Sequence, residues 1–147
     1  MSFRHVLVAT DGSELSDKAF GVAAALARST GARLTAVHAV AREIPTDMSF
    51  LGEANLRDRE KGPASRPREA SAIREKVAAL ARAAGLECPL VVEEGEPWEA
   101  IVRVAEERDC DLIAMGTHGR EGMGAMLIGS QTQKVLAHTK RPVLACP

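Results

Sequence analysis

Between Gly116 and Ser130 the chain reads GTHGREGMGAMLIGS, and five of its twelve glycines (Gly116, Gly119, Gly122, Gly124 and Gly129) fall inside that window. Glycine carries an entropic cost in regular structure, so such crowding marks a backbone that turns sharply or approaches something closely. The apolar run Asp111-Leu112-Ile113-Ala114-Met115 precedes the window, and a helical pattern follows from about Ser130. A strand, a glycine-rich loop and a helix N-terminus together make an anion site, because backbone N–H groups and the helix dipole both favour phosphate. Two familiar nucleotide templates fail on spacing. There is no GxxxxGK[ST], and Gly122-x-Gly124 is followed three residues later by Leu127, not glycine. The competing reading is a surface loop whose glycines serve turns, and local pattern leaves both open.

Other polar residues near strand ends are similarly double-edged. Asp11 follows the first apolar run and offers a carboxylate to a ribose hydroxyl or to a phosphate-bound Mg²⁺; it is equally suited to capping the turn after it. Ser130 is expected to open a capping box with Gln133, its hydroxyl capping the helix while the Gln133 amide reaches back. The same hydroxyl can aim at a phosphate, and Thr132 lies in the same turn. His118 sits inside the glycine window, where phosphate donation and simple exposure explain it equally well. His5, His38, His118 and His138 lack ligand-pair spacing, and no nucleophile elbow is present. Glu93 and Glu94 are adjacent on an expected strand and so point to opposite faces, which suits solvent better than acid–base work.

The elements that must position these groups alternate in type. His5–Thr10 is a continuous apolar run expected to be a strand buried on both faces. A helix is expected to run to about Ser29, with Gly31 as its stop. Strands follow over 32–40, 89–93, 111–115 and 141–146, with helices expected from near Arg68 to Ala84, from Glu96-Pro97, and from about Ser130. Residues 42–67 carry Pro45, Gly52, Gly62, Pro63 and Pro67 among many charges and are expected to form a surface loop, not a domain boundary. The alternation predicts a parallel sheet with helices on both faces and ligands beyond the carboxyl ends of its strands. If the first and fourth strands are neighbours, Asp11 faces the glycine window.

At 147 residues the chain is read as one domain, 1–147. A net charge of -1 supplies no electrostatic case for nucleic acid or a membrane surface, and 3% aromatics with no Tyr removes base-stacking platforms. Cys88, Cys110 and Cys146 lie in or beside apolar runs without paired spacing and read as small buried hydrophobes. With no basic-then-apolar leader and no run of membrane length, a cytoplasmic protein is expected.

Taken in order, several motifs resemble the universal stress protein family. Gly116-x-x-Gly119, nine residues, then Gly129-Ser130 is similar to that family's nucleotide signature. Val6-Leu7-Val8-Ala9-Thr10-Asp11-Gly12-Ser13 is similar to its first strand and loop, and Gly95-Glu96-Pro97, Asp111–Gly116 and Arg141-Pro142-Val143-Leu144 also match. The resemblance spans the chain. It implies a single-domain, open twisted five-stranded parallel sheet in the order 3-2-1-4-5, adenine nucleotide alpha hydrolase-like, and a homodimer through the last strand, 142–146. It also implies membership of the ATP-binding subgroup, a stress-response switch with ATP (or another adenine nucleotide) and Mg²⁺, and at most weak hydrolysis. A slow Mg²⁺-dependent ATPase or nucleotidyl or phosphoryl transferase using the same pocket is the alternative. Carried over by position, Val37 would meet adenine through its backbone, with Ala9 and Thr10 lining the pocket. Asp11 would lie near ribose, phosphates and, indirectly, the metal, together with Met115 and Gly116. His118, Gly119, Gly129, Ser130 and Thr132 would hold phosphates. Gln131 stands in the same turn, where the family often has a small or β-branched residue.

Overall fold

The computed structural model describes residues 2–41, 66–117 and 129–147. Its elements in chain order are β1 His5–Ala9, α1 Glu14–Thr30, β2 Arg33–Val40, α2 Arg66–Ala84, β3 Leu90–Glu94, α3 Pro97–Glu107, β4 Leu112–Gly116, α4 Ser130–His138 and β5 Val143–Cys146. The expected strands and helices all occur, with ends shifted by one or two residues. Of the expected 42–67 loop, residues 42–65 lie outside the described residues, and Arg66 and Pro67 already belong to α2.

The five strands form one parallel sheet in the order β3-β2-β1-β4-β5. β1 is central because Val6, Leu7 and Val8 are all 0% exposed, a burial that only a strand covered on both faces can have. Its side chains divide between two cores. Val6 and Val8 join Phe20, Leu34, Ala36, Ile73, Val77 and Ala114 under α1 and α2. Leu7 joins Val37, Ile101, Val104, Ile113, Met115 and Val135 under α3 and α4. This two-sided burial is why the strand runs read as continuous apolar stretches without alternation.

α1 starts where Ser13 caps it, its side chain accepting from the Ser16 amide at 3.2 Å, and it stops at Gly31, whose φ of 72° is left-handed. The chain steps outward from β1 to β2 and β3, then returns across β1 to β4. That reversal places the switch point between β1 and β4, whose register pairs Val6 with Leu112 and Val8 with Ala114. Continued by two residues, this register sets Thr10 beside Gly116.

The cysteines are free, and burial pushes the Cys88 thiol up to about 12 and the Cys110 thiol up to about 11. Cys110 and Cys146 are buried as their surroundings in the sequence suggest, whereas Cys88 is only half-buried. Among the described residues no helix is long and apolar enough to cross a membrane.

Candidate functional site

Two chain segments meet at the carboxyl ends of β1 and β4. The first is Thr10-Asp11-Gly12-Ser13. Thr10 is buried, its N–H donates to the Val37 carbonyl at 2.9 Å, and its hydroxyl lies 3.3 Å from the Ser16 hydroxyl. The Asp11 carboxylate accepts from the Ser13 N–H at 2.9 Å, so the Asx turn that its position suggested is formed. Gly12 adopts φ 81°, and a Cβ there would meet Ile73 Cγ1 at 3.3 Å.

The second segment is the pair of ends of the glycine window. The Gly129 N–H donates to the Thr117 carbonyl, and the Thr132 hydroxyl donates to the Gly116 carbonyl at 2.9 Å. Thr117 is itself held by its N–H to the Cys146 carbonyl at 2.9 Å. The end of β4 and the start of α4 therefore meet at one point. Ser130 opens α4 there and is exposed, whereas Thr132 is 2% exposed. The first N–H groups of a helix have no carbonyl within it to bond, and α4 directs its first turn at this point.

One expectation needs revising at this end of the sheet, and two of the expected site residues make contacts of their own. The capping box does not form: Gly129 is the N-cap of α4, Ser130 is the first helical residue, and the Gln133 N–H bonds to the Gly129 carbonyl at 3.0 Å. Closure onto Thr117 fixes the loop one residue earlier than the serine pattern implies. Gln131 turns elsewhere, its Oε1 accepting from the Trp98 N–H at 3.0 Å and its Nε2 donating to Glu96 Oε2 at 3.3 Å. Its amide thus caps α3, whose own N-cap, Glu96, makes no side-chain cap. Finally, the Val37 carbonyl is occupied by the Thr10 amide, and Val37 is 2% exposed.

Ala9, Thr10, Asp11, Met115, Gly116, Gly129, Ser130 and Thr132 are brought to the same end of the sheet by the adjacency of β1 and β4. His118 and Gly119 lie outside the described residues. Sequence reasoning passed over Lys76 on α2, whose Nζ donates to the Gly12 carbonyl at 2.9 Å and pairs with Asp17 Oδ2 at 3.0 Å. The available signal was a lysine next to the Ile73-Val77-Leu80 stripe. It also passed over Ser16, which holds Thr10, and Ala39. Bonds from β2 to β1 recur at alternate residues, so Ala39 is the next residue after Val37 to present its peptide on the β1 side.

Among the described residues no group of three or more His, Cys, Asp or Glu side chains is placed to hold a metal ion. Asp11 alone suits Mg²⁺ only in its usual arrangement, one carboxylate sharing the ion with phosphates and water.

The model of the universal stress protein family matches residues 2–147. A universal stress protein of Thermus aquaticus, described as lying in the QAH/OAS sulfhydrylase 3′ region, is 37% identical over 142 residues, covering 97% of each chain. Universal stress protein UspA from Lactobacillus plantarum superposes with a TM-score of 0.77 at 24% identity, covering 100% of this chain and 99% of that one. A universal stress protein solved in complex with cAMP superposes with a TM-score of 0.69 at 25% identity, covering 100% of this chain and 98% of that one. The strand order and these neighbours define an adenine nucleotide alpha hydrolase-like fold.

Proposed function

Because this chain belongs to the universal stress protein family, we propose that it binds an adenine nucleotide, ATP in the cell, and serves as a nucleotide-dependent switch or binding module in stress response. The observation that carries the reading is the closed junction at the switch point. Gly129 on Thr117 and Thr132 on Gly116 hold both ends of the glycine window beside the Thr10–Asp11 turn. The resulting pocket has a helix N-terminus on one side and a carboxylate on the other. It is suited to a polyphosphate with a ribose, and the cAMP complex of a similar protein supports an adenine ligand.

In this reading the Ser130 amide, with His118 and Gly119, holds phosphates, and Gly129 lines the junction that its own N–H closes onto Thr117. Ala9, Thr10, Met115 and Gly116 line the pocket. Asp11 faces the ribose and shares Mg²⁺ with the phosphates; the ion, when bound, neutralises phosphate charge. Thr132 acts by fixing Gly116, and Gln131 stands outside the ligand contacts. The peptide of Ala39 takes the adenine-reading role that position alone would assign to Val37. Occupancy alters the surface offered to a partner protein at this end of the sheet. A second copy of the chain pairs along β5, the strand at the sheet edge.

Isothermal titration of the whole protein with ATP, with and without Mg²⁺, tests this. Mg²⁺-dependent binding weakened by Asp11→Ala is expected, and no binding at millimolar ATP sinks the proposal. Hydrolysis at background level in both proteins is the expected turnover result. Hydrolysis lost on Asp11→Ala would instead favour the slow ATPase or transferase.

A further inference from the structure

His38, near the carboxyl end of β2, is 5% exposed and lies outside the residues assigned above. Its Nδ1 is 3.0 Å from the Thr10 carbonyl oxygen. A carbonyl only accepts, so Nδ1 carries the proton. That oxygen has another natural donor. In a parallel ladder the Thr10 N–H bonds to the Val37 carbonyl, and the next bond should run from the Ala39 N–H to the Thr10 carbonyl. His38 meets that acceptor from its own side chain, and the β1–β2 register ends at Ala9 with Val37.

The other half of the missing rung is also diverted. Gly12 would return a bond to the Ala39 carbonyl, but its φ of 81° turns the chain away and its N–H donates to the Thr10 hydroxyl at 3.3 Å. Lys76 secures this turn through the Gly12 carbonyl. The two diversions leave the Ala39 N–H and C=O directed past the end of β1, over the pocket.

We infer that His38 is a positioning residue that keeps the Ala39 peptide turned toward the base, and so sets a preference for adenine; this rests on the nucleotide-binding reading above. Adenine presents an acceptor at N1 beside a donor at N6, which matches the N–H and C=O of one extended residue. Hypoxanthine presents the reverse at both atoms and leaves both peptide groups badly paired, the kind of mismatch that supports strong discrimination. Without the imidazole donor, the Thr10 carbonyl captures the Ala39 N–H, and the ladder closes over the recognition edge.

Amide exchange at Ala39 by NMR in nucleotide-free protein, with titrations of ATP and inosine triphosphate, decides the matter. In the wild type the Ala39 amide exchanges readily, and ATP binds about tenfold or more tightly than inosine triphosphate. In His38→Leu, Ala39 exchange slows by about tenfold or more and the two nucleotides approach equal affinity. His38→Asn, whose amide N–H replaces Nδ1–H, restores both properties. Unchanged exchange and an unchanged nucleotide ratio in His38→Leu overturn the inference. So does a well-protected Ala39 amide in the wild type, a result that stands even if His38→Leu does not fold. A wild type that binds neither nucleotide defeats the binding proposal alone, because the exchange data still decide whether His38 holds the peptide open.

Discussion

The Gln131 side-chain oxygen accepts the Trp98 amide at 3.0 Å, so the second residue of α4 caps the beginning of α3. The contact joins neighbours that already pack, since the Trp98 and His138 rings lie 4.3 Å apart between centroids. It also ties the helix that opens at the glycine junction to a helix on the molecular surface. Replacing Gln131 with Leu should cost about 1 kcal/mol, the usual value of a lost helix cap. Urea unfolding followed by Trp98 fluorescence measures this, and Gln131→Glu, which keeps an oxygen for the Trp98 amide, should recover part of the loss. An unchanged midpoint in Gln131→Leu would show that solvent caps α3 equally well.

Thr132 is expected to matter through its bond to Gly116 and not through its shape. Thr132→Val preserves volume but leaves the partly buried Gly116 carbonyl without its donor, at a cost of about 1 kcal/mol. Thr132→Ser should retain most of the stability. If ATP binds at the junction, affinity should fall in the Val variant and persist in the Ser variant; calorimetric titration of both separates the two.

Gly12 combines two constraints. Its φ of 81° disfavours any side chain, and a Cβ would press on Ile73 at 3.3 Å, so α2 would have to give way. Gly12→Ala should therefore destabilise the fold by about 1–2 kcal/mol. Gly12→Ala in an Ile73→Val background should recover only the steric share. Equal losses in both backgrounds would assign the whole effect to the backbone.

Acid should destabilise the fold in two stages, both at the opposite end of the sheet. Burial lowers the pKa of His5 below 6.5, although the bond from its Nδ1–H to the Arg108 carbonyl at 3.0 Å works the other way. The unfolded chain then takes up protons more readily, so stability present above pH 6.5 declines as pH falls below it. At Asp111 burial opposes ionisation, but the amides of Arg4 and His5, at 2.8 and 3.0 Å, outweigh it and hold the carboxyl below 3.8. Its contribution is lost only as pH drops through that lower range. Denaturation midpoints should thus fall between about pH 8 and pH 5 in the wild type, with a flatter profile in His5→Asn. An equally steep profile in that variant would remove His5 from the account.

Much of this molecule was legible in its residues because local rules govern them. Apolar runs buried on both faces mark β1 and β4, Gly31 ends α1 from the left-handed region, and Pro97 opens α3. The Asx turn at Asp11 needs only the residues beside it. The capping box failed because Ser130 and Gln133 have the right spacing in any chain, whereas the position of the cap depends on Gly129 meeting Thr117. The cap that Gln131 supplies to α3 was not legible for a related reason: its partner, Trp98, is 33 residues away. Val37 and Ala39 share a strand face, and only the register with β1 shows which of their peptides is already used.

By itself, the sequence determined the alternation of elements, their two-sided burial and a glycine-rich segment after the fourth strand. These follow from periodicity and backbone preference, which act over a few residues. The tertiary structure decided that β4 returns to lie against β1, which brings Asp11 to the glycine junction and gives the Thr10 carbonyl to His38. Such pairings are set by the closing of long loops and by competition among distant donors for one acceptor, and neither leaves a local pattern in the chain.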